Sequence, residues 1–323
     1  MSGNVFELTP PDLGKWRAGN TGVEGVWHFD SSAPGRRVML SALVHGNELC
    51  GAWVLKELLD AGVRPERGSL TLAFCNLDAF DRFDESDTDA SRFVEEDLNR
   101  QWSPARMASA STRERQRAAE LEPFVKRTDW LLDLHSMHEP GLPLSLAGTH
   151  PRNVALARQL RSPEHVVVDA GHQDGVRMRD YGPFGMPDHD QPDTRSLLIE
   201  CGYHGDRASV GVARDQCIRF LTVAGTLAEA SARRSLPGWK KPDAARQWAL
   251  NVTDAVVAKS PNFTFTHPFQ GLERIPQAGT VIGDNDGEPV RTPYDNCVLV
   301  MPSTRQARQG VTVVRLARCE ALT

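Results

Sequence analysis

A chain of 323 residues, 40% hydrophobic and 24% charged, has enough apolar mass for a full-sized core, and this balance excludes the disordered and fibrous classes. Its formal net charge of −5 lacks the basic excess of a nucleic-acid binder, and in residues 106–117 acids interleave with the arginines as on a solvated helix face. The N-terminal stretch lacks the charged start and apolar run of a secretion signal, and no apolar segment approaches the roughly 20 residues of a membrane span. Six scattered cysteines without a CxxC pair point to reduced thiols and a cytoplasmic setting.

Along the chain, strand-like runs at residues 37–44, 69–77, 130–135, 166–170 and 196–201 alternate with helical periodicity at 49–60, 112–126, 151–161 and 208–232. That alternation predicts an α/β class with a mostly parallel or mixed sheet covered by helices on both faces. The segment 78–92 is acidic and glycine-free, and reads as a long functional loop or lid. Prolines, glycine and exposed charge at 235–243 mark a boundary between a catalytic domain, 1–235, and a small β-sandwich or barrel domain, 243–323. In that tail, alternating runs at 251–257 and 311–316 are separated by turn signals at Gly279, Gly283 and Asp286-Gly287. The tail resembles the sandwich domains that carry lipoyl or biotinyl groups, but no lysine follows Lys259 to be modified, so a structural, capping or substrate-framing role is expected.

Chemistry concentrates at strand ends. Residues 38–48, VMLSALVHGNE, form an apolar strand that runs into a glycine-containing turn carrying His45 and Glu48, two ligand types suited to zinc. A hydrolytic zinc site needs a third ligand from another strand end. The stretch LLDLH offers His135, with Asp133 on the same face to orient its ring, and His138 is the competitor. Glu139, His172, His189 and His204 lie outside these strands and are not expected as ligands. In RFVEEDLNR the Asn99-Arg100 pair suits a substrate carboxylate, although Arg100 alone could be a surface ion pair and Asp97 a helix cap. Glu200, at the end of the apolar strand SLLIECG, must face a cation or a polar cleft; a general base and a structural ion pair both satisfy that.

Taken in order, VHGNE, RFVEEDLNR, LLDLH and LIECG resemble the succinylglutamate desuccinylase and aspartoacylase family, zinc enzymes built on the zinc carboxypeptidase fold. The resemblance covers residues 37–230. It implies one zinc ion per chain held by His45, Glu48 and His135, with Glu200 as general acid/base and Arg92 polarising the scissile carbonyl. Asn99 and Arg100 would hold the substrate carboxylate. The implied reaction is hydrolysis of the amide bond of an N-acyl amino acid or similar small carboxylate by metal-activated water, with no nucleic-acid or membrane partner. The family pattern also calls for another arginine, for which Arg177, Arg179 and Arg195 are candidates, and a C-terminal tyrosine, for which Tyr294 is one. Acids at 84–89 are expected near the pocket mouth, where they would disfavour a dianionic acyl group. Alternatives on the same fold are a metallocarboxypeptidase acting on peptides and an inactive binding protein.

Overall fold

The computed structural model describes residues 6–172, 174–186 and 193–322. Its first half builds β1 (Val26–Asp30), β2 (Arg37–Ala42), α1 (Leu49–Asp60), β3 (Ser69–Phe74), α2 (Leu77–Phe80), α3 (Pro104–Ser109), α4 (Arg113–Arg127) and β4 (Trp130–Met137). There follow β5 (Leu144–Leu146), α5 (Pro151–Leu160), β6 (His165–Val168), β7 (Arg195–Tyr203), α6 (Ala208–Val223) and α7 (Glu229–Ser235). The remainder is all β: β8 (Trp248–Val257), β9 (Thr264–Phe265), β10 (Arg274–Ile275), β11 (Val281–Asp284), β12 (Pro289–Arg291), β13 (Cys297–Val300) and β14 (Thr312–Ala321).

Why the central strands read as continuous apolar runs is plain from their packing. Val38, Leu40 and Ala42 of β2 bury into one core with α1, α5 and α6, whereas Met39 between them joins a second core with α3 and α4 on the opposite face. A strand covered on both faces has no polar side to show. The described strands form an 11-stranded mixed sheet in the order β1-β3-β2-β4-β7-β5-β6-β8-β14-β13-β10, and β3, β2, β4 and β7 run parallel. The fold is thus the expected α/β arrangement with helices on both faces and a small C-terminal β region.

That β region is stitched to the rest edge to edge. Strand β8 pairs in parallel with β6, from His165 opposite Trp248 to Val168 opposite Asn251, so the sheet continues through the expected boundary. A second sheet, β12-β11-β9, contributes Phe265, Ile282 and Val290 to a core shared with Leu299 of β13 and Leu316 of β14.

Local differences from expectation have physical causes. The helix expected over 208–232 breaks after Val223, where Gly225 takes φ +77° and ends α6 in a left-handed turn. The segment 78–92 is not structureless: Asn76 caps α2, and Asp87 caps a 3₁₀ turn at Thr88–Ser91. Gly283 lies within β11 rather than at a turn, and a Cβ there would sit 2.6 Å from the Thr264 carbonyl oxygen of β9. The turn at Asp286-Gly287 is present, with φ +59° and +84°. All six cysteines are free thiols, and no helix among the described residues is long and apolar enough to cross a membrane.

Candidate active site

Strand β2 delivers the first two ligand candidates. After Ala42 the chain passes through Leu43, whose carbonyl accepts from Asn76 N–H at 2.7 Å, and turns sharply so that His45 and Glu48 precede α1. Gly46 makes that turn possible by contact. A Cβ at this position would lie 2.4 Å from the Ala79 carbonyl carbon and 2.4 Å from the Ser91 oxygen, both backbone. Its N–H donates to the Arg92 carbonyl at 3.1 Å, which ties the ligand turn to the segment carrying Arg92.

His135 comes from β4 and pairs in register with Glu200 on β7. His45, Glu48 and His135 are all buried, and one ligand atom of each lies within 4.8 Å of the others. Both rings present the same nitrogen. His45 Nδ1 is 2.6 Å from Glu48 Oε1 while its Nε2 meets Asp97 Oδ1 at 3.0 Å. His135 Nδ1 is 2.8 Å from Glu48 Oε2 while its Nε2 meets Asp133 Oδ2 at 2.9 Å. Ser41 Oγ donates to the other Asp133 oxygen at 2.7 Å. A carboxylate behind each imidazole is the arrangement that fixes ring orientation in metal sites.

The electrostatics follow from this crowding. Burial opposes charge on His135, but Asp133 and Glu48 outweigh it and hold the imidazole well above its usual range. Burial likewise opposes charge on Glu48, and His45 and His135 overcome it to hold the carboxyl well below its usual range. Glu200 has no such compensation. Burial first, and then the Glu48 charge, push its carboxyl up to about 8, and its Oε2 has no hydrogen-bond partner among the described residues.

Arg92, Asn99 and Arg100 line the same cavity as the ligand cluster and Glu200. The Arg92 guanidinium is aimed by Glu48 Oε1 at 3.2 Å, Asp97 Oδ2 at 3.3 Å and His138 Nε2 at 3.2 Å. Asn99 Oδ1 accepts from Met178 N–H at 2.9 Å, which leaves the amide nitrogen as its donor toward a ligand. Arg100 Nε donates to Asp174 at 3.0 Å. His138, the competitor for third ligand, instead bridges Arg92 and Asp89 and packs edge-on against His204.

Of the further candidates, only Arg177 reaches the cavity. Arg179 is tied to the Ala147 carbonyl and to Ser196, and Arg195 lies against Trp130 and Asp193. The Tyr294 hydroxyl meets Thr253 at 2.8 Å beneath Arg318, outside the cavity lining. His189 falls outside the described residues. Among the acids at 84–89, Asp89 is paired with His138 and with Arg305, so its charge is compensated at the rim. Sequence reasoning did not find His172 and Arg315 in the lining, or Asp97 behind His45. The DLNR stretch carried a signal for Asp97; Arg315 sits in an unremarkable β run.

The succinylglutamate desuccinylase/aspartoacylase catalytic-domain family model matches residues 34–185. No curated protein matches the chain in sequence. Among solved structures, succinylglutamate desuccinylase from Vibrio parahaemolyticus superposes with a TM-score of 0.65 at 18% identity, covering 92% of this chain and 86% of that one. A succinylglutamate desuccinylase/aspartoacylase from Rhodobacter sphaeroides gives 0.64 at 19% identity, with coverages of 92% and 90%. The product-bound ectoine utilization protein EutE (DoeB) from Ruegeria pomeroyi gives 0.61 at 18%, with coverages of 90% and 87%. At these identities the structures establish a shared fold. The matched segment, residues 34–185, carries the His45, Glu48 and His135 cluster within that fold, and over this segment the chain is similar to the succinylglutamate desuccinylase/aspartoacylase catalytic domain.

Proposed function

We propose that this protein is a cytoplasmic zinc-dependent deacylase, an amidohydrolase that cleaves the amide bond of an N-acyl amino acid or similar small carboxylate. The observation that carries the reading is the convergence of His45, Glu48 and His135 within 4.8 Å in the cavity that also holds the unpartnered Glu200 oxygen.

The donor set fits a zinc ion: two imidazole nitrogens and a carboxylate oxygen face one another, and each ring is backed by a carboxylate on its far nitrogen. Bound there, zinc supplies Lewis acidity that polarises a carbonyl and makes water a competent nucleophile near neutral pH. Glu200 holds the proton traffic: a cation held by His45, Glu48 and His135 would favour its ionised form, which takes a proton from the attacking water and returns it to the leaving amine. Arg92, fixed on three sides, donates to the carbonyl oxygen as negative charge grows on it. Asn99 and Arg100 hold the substrate carboxylate, a planar acceptor that matches an amide and a guanidinium side by side.

Small substrates suit the cavity. It encloses about 150 Å³, and the C-terminal β region supplies Met301, Pro302, Gln306 and Val311 to its wall. Arg305 clasps that wall to the catalytic side through Glu139 at 2.8 Å and Asp89 at 3.6 Å. A peptide would need an open groove at this edge.

The test is metal content followed by activity. Protein purified without added metal is expected to hold about one zinc per chain, to lose it in His45→Ala, and to release free amine from a panel of N-acyl amino acids. Protein that stays metal-free when zinc is supplied, or that trims C-terminal residues from peptides and leaves acylamino acids intact, overturns the proposal.

A further inference from the structure

One buried guanidinium in the cavity wall has no carboxylate of its own. Arg177 is spent: its two terminal nitrogens donate to Asp169 at 3.0 and 2.9 Å, and its Nε is bonded to Asp180. Arg100 donates through Nε to Asp174. Arg315 is the group left over. Its side chain is 8% exposed, and its one carboxylate contact is Nε to Asp169 Oδ2 at 3.4 Å, an oxygen Arg177 already holds.

The other partner of Arg315 carries no charge. Arg315 Nη2 donates to His172 Nε2 at 2.9 Å, so His172 accepts as a neutral ring. Burial, followed by the charges of Arg315, Arg100 and Arg177, drives its imidazole well below the usual range. Burying a guanidinium without a full counter-charge is costly unless a ligand anion completes it.

The fold explains how a residue so late in the chain arrives here. Strand β6 ends at Val168, opposite Asn251, but β8 and β14 run on past it, and Arg315 sits opposite Ala255 in that overhang. Asp169 and His172 follow β6 directly beneath. The overhang therefore meets the pocket at the strand ends where the ligand cluster lies.

Building on the deacylase reading, we infer that Arg315, oriented by His172 and Asp169, is a specificity-determining residue that clamps the substrate carboxylate together with Arg100. The C-terminal β region is then part of the substrate site rather than a cap behind it. The remaining wall near Glu200 is apolar: Leu198 lies two residues before Glu200 on the same strand face, opposite Leu146 of β5. A single anionic end and an uncharged acyl end describe the substrate class.

The experiment is calorimetric titration of the zinc-loaded protein with N-acetylglycine and with its neutral amide, N-acetylglycinamide, for wild type and Arg315→Gln. Wild type should bind the acid at least about tenfold more tightly, the scale of a charge-assisted hydrogen bond, and R315Q should lose that preference while keeping its affinity for the amide. Equal binding of acid and amide by wild type, or an undiminished preference in R315Q, overturns the inference. A second readout needs no variant: the His172 ring resonances should shift on adding the acid and not the amide, and unmoved resonances count against the clamp. Absence of hydrolysis for every N-acyl amino acid, with the acid preference intact, would remove the deacylase reading alone.

Discussion

His135 is gripped at both ring nitrogens, with Glu48 2.8 Å from Nδ1 and Asp133 2.9 Å from Nε2. The second contact fixes which nitrogen faces the ligand cluster and raises its basicity. Asp133→Asn keeps the shape and removes the charge, so zinc affinity is expected to fall by about 10–100-fold. Competition with a chromogenic chelator measures this; wild-type affinity in the variant would show that Asp133 does not support the site.

Glu200→Gln is expected to keep zinc and lose turnover. The substitution preserves volume at a site where burial and the Glu48 charge already hold the carboxyl high. On the proposed mechanism it removes the proton carrier, whose loss typically costs about 10²–10⁴-fold in kcat. Full activity in the variant would assign the proton transfer to another group, whatever the metal content.

What the sequence shows of this site depends on distance along the chain. His45 and Glu48 lie three residues apart before α1, and Asp133 and His135 share a strand face, so short patterns suffice to propose them. Asp97 is harder to see, because its side chain both caps the turn at Asn99 and backs His45, and only the first role has a local signature. Arg315 is not legible at all: its place in the cavity depends on β8 pairing with β6 and overrunning it, a register between distant segments. Strand β5 escaped for a different reason, since three residues are too few to show a period. Tyr294 follows the same logic in reverse, a residue of the right type in the right region whose hydroxyl is used by Thr253.

Acid should weaken the protein through Asp169. Burial opposes its charge, but Arg177 and Arg315 prevail and pull the carboxyl down to about 2. The unfolded chain has an ordinary aspartate near about 3.9. Because the folded state binds its proton less readily, the stabilisation is present in full above about pH 5 and is lost as pH falls toward about 2, amounting to roughly 2–3 kcal/mol. Urea unfolding of wild type and Asp169→Asn between pH 6 and pH 3 tests it. The gap between the two should narrow as pH falls, and a constant gap would contradict the assignment.

Gly46→Ala probes the turn itself. Gly46 needs no left-handed conformation; what it needs is room, because the Ala79, Phe80 and Ser91 backbone atoms around an added Cβ lie at 2.4–2.5 Å. Backbone cannot rotate aside as a side chain can, so the turn must retreat, and it carries His45 on one side and Glu48 on the other. Overpacking of this kind costs about 1–3 kcal/mol, and here the displacement also moves the two proposed ligands, His45 and Glu48, away from His135 on a separate strand. The expected result is a lower Tm together with at least about tenfold weaker zinc binding, since ligand geometry and stability fail through one contact. Gly211→Ala on α6 is the control: nothing lies within 4 Å of its added Cβ, so helix propensity should make it neutral or stabilising by up to about 1 kcal/mol. If G46A matched wild type in both Tm and zinc affinity, the close approach at this turn would not govern the site.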